Sequence, residues 1–127
     1  MKENKLVVEI NRSVKDVFDY TLNPQNTSKW IPFIAEEVAS EWPPKIGTKY
    51  KNRGENGPWS EYTLTELEEN VMFTLSKSDN KYNVKYIFKP LGKDKTELTY
   101  FEWASSGELD DLFPSEILEN LKSQLEL

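Results

Sequence analysis

INRSVKDVFDYTLNPQNTSKWIP, residues Ile10 to Pro32, is the stretch on which the fold turns. A short β-branched strand at 6–10 (LVVEI) ends just inside it. Ser13 then offers a hydroxyl to cap a helix, with Asp16 three residues on to complete the capping box or favour the positive helix end. Val14, Val17, Phe18, Thr21 and Leu22 fall at 3.6-residue spacing, one apolar face of that helix. Asn23-Pro24 stops it, and Pro24 suits the first position of a second short helical turn running toward Trp30.

Working outward, the period changes from 3.6 to two after Pro32. A weak strand is expected over 34–41, ended by Pro43-Pro44. Residues 47–52 alternate and lead into the turn RGENGP at 53–58; a strand follows at 59–67. Val71, Phe73 and Leu75 alternate with Met72, Thr74 and Ser76. Tyr82, Val84, Tyr86 and Phe88 alternate with Asn83, Lys85, Ile87 and Lys89, the clearest half-buried strand. A hairpin turn at 92–95 precedes a last strand at 97–103. Beyond it, Phe113-Pro114-Ser115-Glu116 reads as a helix start, and Ile117, Leu118, Leu121 and Leu125 form an apolar stripe. The expected order is strand, helix, short helix, six strands, helix. It predicts an α+β domain spanning 1–127, an antiparallel sheet of about seven strands with helices on one face.

Composition narrows the chemistry. The 127 residues include no cysteine, so disulfides, thiolate metal sites and cysteine nucleophiles are excluded. There is also no histidine, which removes the usual general base near neutral pH and the commonest metal ligand. Acid–base work would fall to Asp, Glu, Lys or Tyr. A formal charge of −6 opposes nucleic-acid binding. No apolar run is long enough for a signal h-region or a bilayer span, so a cytoplasmic chain without stable membrane insertion is expected.

The order of these elements, with these residues, resembles the START-like or polyketide cyclase/dehydrase (SRPBCC) superfamily. VEINRSVKDVFDYTLNPQNTSKW is similar to that family's opening of strand, cap, Val-Phe helix, Asn-Pro break and Trp. Gly47-Thr48 resembles its lead-in to a strand, SEYTLTELEEN (60–70) its Thr-Glu strand and turn, and YIFKPLGKDKTELTY (86–100) its paired late strands. The resemblance implies a helix-grip fold, a curved sheet wrapped on the C-terminal helix with a cavity between them. It implies a small apolar or amphipathic ligand, lipid included, and no cofactor or metal. One departure stands out: the family's C-terminal helix is usually long, whereas the stripe here spans 113–125, three to four turns at about 1.5 Å per residue.

Strand alternation puts Tyr50, Tyr62, Phe73, Tyr86, Phe88, Tyr100 and Glu102 on the face turned toward the helices. In a fold of this kind they are the expected ligand-binding residues, aromatic walls with polar tips. Glu102, a carboxyl on an apolar face, is the catalytic candidate, with a tyrosine as its acid–base partner in a cyclase, dehydratase or hydrolase reaction. Arg53 is a candidate anchor for an anionic group at the mouth. Trp30 is a candidate gate. Phe101 and Trp103 have the opposite parity and, with Val7, would form an outward apolar patch suited to a homodimer or partner. Three readings follow: a binding or carrier module, a cofactor-independent enzyme, and an interaction module with a filled core.

Overall fold

The computed structural model describes residues 2–109 and 111–127. Seven antiparallel strands form one sheet in the order β1-β7-β6-β5-β4-β3-β2. They are β1 (Glu3–Ile10), β2 (Glu36–Ala39), β3 (Lys49–Arg53), β4 (Ser60–Glu68), β5 (Met72–Lys77), β6 (Tyr82–Gly92) and β7 (Lys95–Ala104). Strands β2 to β7 follow one another as neighbours, and only β1 crosses over to pair with the last strand. The first strand is longer than its apolar core, because pairing with β7 extends from Ile10 to Glu3. The second is shorter than expected: only Glu36 to Ala39 find partners on β3.

Helix α1 (Val14–Leu22) starts where the sequence indicates, with the Asp16 N–H donating to Ser13 Oγ over 3.2 Å. It buries Val17, Phe18, Thr21 and Leu22. Asn23 ends this helix and caps α2 (Pro24–Thr27), accepting from the Gln25 N–H on its side-chain oxygen. Phe18 joins α1 to the sheet, edge-on to Phe73 at 6.0 Å and Phe88 at 5.3 Å. Such edge-to-face pairs add roughly 0.5–1.5 kcal/mol beyond area burial.

The C-terminal helix α3 (Ser115–Leu125) buries Ile117, Leu118, Leu121 and Leu125. It is tied to the β1 end of the sheet: Lys122 Nζ donates to the Glu9 carbonyl, and Arg12 Nη1 to the Leu125 carbonyl. Eleven residues cover about 16 Å at the α-helical rise, so the helix cannot roof all seven strands.

Two local features set side-chain direction. A bulge in β4 between Leu64 and Glu66 lets Leu64 face Leu75 and Leu67 face Phe73 on the same side. Gly47, at φ +100°, turns the chain into β3 and donates its N–H to the Leu64 carbonyl. A side chain there would be strained, which is why the Gly-Thr pair sits at this point. Among the described residues no helix is long and apolar enough to cross a membrane.

Candidate functional site

A cavity of about 280 Å³ lies between the concave face of the sheet, the α1–α2 segment and the loop leading into α3. Its inner wall is a row of paired residues. Phe73 on β5 faces Tyr86 on β6, and Tyr86 faces Tyr100 on β7. The Phe73 and Tyr86 rings stack at 4.5 Å, and Tyr100 stacks on Phe113 of the loop before α3 at 4.1 Å. Phe33 and Leu112, 58% and 45% exposed, stand at the rim.

Glu102 points inward and is 2% exposed. Both its oxygens are engaged. Oε2 accepts from the Phe113 N–H at 2.7 Å and from the Asn4 amide at 2.9 Å, and Oε1 accepts from the Tyr82 hydroxyl at 2.6 Å. The register explains the cluster: Asn4 lies opposite Glu102 on β1, and Tyr82 is two residues from Val84, its partner on β6. The Tyr82 hydroxyl also stands 3.5 Å from that of Tyr100.

A second carboxyl, Glu37, lines the cavity from the opposite side. Its Oε1 accepts from the Thr27 hydroxyl at 2.5 Å and its Oε2 from the Asn52 amide at 3.0 Å. Asn52 is its register partner on β3. Burial pushes the Glu37 carboxyl above its ordinary value of 4.5, and the two hydrogen bonds pull it part of the way back. Burial likewise raises the phenols of Tyr62, Tyr82, Tyr86 and Tyr100, so they are neutral donors near neutral pH.

The structure brings together most of the residues expected from alternation. Tyr50, Tyr62, Phe73, Tyr86, Tyr100 and Glu102 all line the cavity. The Tyr50 hydroxyl is occupied, donating to the Leu22 carbonyl at 2.8 Å. Phe88 shares their parity but lies farther along β6, where it packs on Phe18 and Phe73 outside the cavity lining. Trp30, 2% exposed, stands behind the wall, edge-on to Tyr86 and Phe113. Arg53 lies outside the lining, paired with Glu36 at 3.0 Å and set over the Trp59 ring. Phe101 and Trp103 stack on each other at 5.1 Å on the outward face, with Lys5 over Phe101 and Val7 exposed nearby.

Tyr82, Glu37 and Asn52 are among the lining residues that were not anticipated. Tyr82 carries the same parity as Val84 and Tyr86 and could have been read from it. Glu37 and Asn52 had no apolar alternation to betray their direction.

The polyketide cyclase/dehydrase and lipid transport family matches residues 1–126, and the chain belongs to it. Among solved structures, it is similar to a START superfamily protein from Mycobacterium smegmatis (14% identity, 99% of this chain and 98% of that one, TM-score 0.77). It is also similar to XoxI from Bacillus cereus (14% identity, 99% and 96%, TM-score 0.76). A third is the Aha1 dimer from Colwellia psychrerythraea (16% identity, 100% and 98%, TM-score 0.73). At such identities the likeness establishes the helix-grip fold alone. No curated protein matches the chain.

Proposed function

We propose that this protein binds a small apolar or amphipathic molecule in the cavity between its sheet and the loop preceding α3. The observation that carries the reading is the aromatic wall of Phe73, Tyr86 and Tyr100 around some 280 Å³ of space that the side chains leave unfilled. Ordinary cores close such space, since unfilled volume forfeits contacts on its lining. Burying roughly 200 Å² of apolar ligand surface would supply about 5 kcal/mol before ordering costs.

The cyclase or dehydratase alternative rests on Glu102 and a tyrosine. The 2.6 Å contact with Tyr82 is the geometry such a pair needs. Both Glu102 oxygens, however, are already taken by donors that fix the loop before α3, which favours a holding role.

N-phenyl-1-naphthylamine, a neutral apolar fluorophore, tests the binding reading. Its emission should rise with the wild-type protein and fall back in Val84→Phe, which fills the cavity from β6. Equal enhancement by both proteins, with Val84→Phe still folded by circular dichroism, would place the probe elsewhere and reject the site.

A further inference from the structure

The lining of the cavity is one-sided in charge. Glu37, Glu102 and Asp111 contribute carboxyls to it, and among the described lining residues none is Lys or Arg. An anionic ligand such as a fatty acid would meet three carboxyls and no counter-charge. Glu102 is spoken for by three donors, whereas Glu37 accepts two hydrogen bonds from the described residues, one on each oxygen, and a carboxylate offers about four acceptor positions. Glu37 is thus the carboxyl with capacity left for a visitor.

A second, separate observation points to the same place. Tyr86 is 6% exposed and lines the cavity, yet its hydroxyl has no hydrogen-bond partner among the described residues. The Tyr62 hydroxyl is in the same position. Glu37 lines the same cavity, and its hydrogen-bond partner Asn52 is two residues along β3 from Tyr50, which lies opposite Tyr62; burial first, and the Glu37 charge after it, raise both phenols. Both hydroxyls border the cavity with no bond to the described residues, so they are suited to a polar group that arrives from outside. Tyr62 lies edge-on to Tyr82, and Tyr86 is stacked with Phe73, so aromatic rings and a carboxyl line the same space. The carboxylate attracts a cation and repels an anion, and the rings suit an apolar or aromatic body.

We infer that the ligand of this cavity has an apolar or aromatic body carrying a cationic nitrogen, which docks against Glu37 beside the hydroxyls of Tyr62 and Tyr86. The inference rests on the binding reading above and specifies the charge of what is bound. A cation at that point relieves the cost of holding a carboxylate in an apolar wall, and an ammonium has three donors to give to Glu37 and the phenol oxygens.

Three probes with one ring system decide it: 2-(1-naphthyl)ethylamine, 2-(1-naphthyl)ethanol and 1-naphthylacetate, titrated calorimetrically into the wild-type protein. The amine should bind about tenfold or more tighter than the acetate, with the alcohol between them. In Glu37→Gln the amine's advantage over the alcohol should vanish while the alcohol still binds. Tyr86→Phe, which removes only a hydroxyl, should weaken the amine and leave the ring system seated. Tighter binding of the acetate than the amine would overturn the inference and leave the apolar cavity in place, as would an amine preference that survives Glu37→Gln. No binding by any of the three would overturn both readings together. The wild-type series stands alone should Glu37→Gln fail to fold.

Discussion

The Tyr82 hydroxyl donates to Glu102 Oε1 over 2.6 Å, while the other oxygen of the same carboxyl holds the Phe113 N–H at 2.7 Å. One buried side chain therefore couples the start of β6, the end of β7 and the loop that walls the cavity. Asn4 adds β1 to the same cluster.

That arrangement makes Glu102 a stability residue first. Glu102→Ala strands the donors of Tyr82, Phe113 and Asn4 and should cost about 3 kcal/mol or more. Tyr82→Phe removes a single donor and should cost about 1 kcal/mol. Urea denaturation of the two variants checks both, and a Glu102→Ala protein as stable as wild type would contradict the role.

Glu37 should behave in the opposite sense. Burial raises its folded pKa above the unfolded 4.5, so between the two the native state keeps a proton that the unfolded chain has released. Stability from this group is complete below the unfolded value and declines as pH rises through the folded one. Glu37→Gln can keep both neighbours, accepting from Asn52 and donating to Thr27. It should resist urea better than wild type at about pH 7, with the difference gone near pH 4. A variant weaker than wild type at neutral pH would show that the hydrogen bonds outweigh desolvation.

The buried phenols set the alkaline limit. Tyr82, Tyr86 and Tyr100 are all raised above the ordinary 10.0, chiefly by burial. The unfolded chain loses those protons first, so stability is whole below pH 10 and drops as pH climbs beyond it. Phenolate absorbance should then appear for these tyrosines together with the loss of tertiary circular dichroism. Phenolate formation in a still-folded protein would argue against their burial.

Phe18 joins α1 to the sheet through Phe73 and Phe88. Phe18→Ala should cost about 3–5 kcal/mol, the range for emptying a large core position. Denaturant midpoints measure it directly.

Much of this architecture was legible in the sequence because period-two and period-3.6 patterns report local geometry. The cap at Ser13, the break at Asn23-Pro24 and the inward parity of Tyr62, Phe73, Tyr86 and Tyr100 follow from that alone. Parity does not tell how far along a strand a residue lies. Phe88 has the right face and falls beneath α1 instead of in the cavity. Glu37 was hidden because β2 is four residues long and begins with two adjacent glutamates, only one of which can face inward. Its direction is fixed by pairing with Asn52, a long-range contact that no local pattern contains. Arg53, next to Asn52, takes the other face and meets Glu36 and Trp59 there.

The short C-terminal helix has a kinetic consequence. None of residues 115–125 lines the cavity, and Phe33 and Leu112 stand at its rim. On the binding reading proposed above, a guest would pass loop side chains, which rotate in picoseconds to nanoseconds when exposed, and no helix need lift from the sheet. Residence time would then be set by the strength of contact inside.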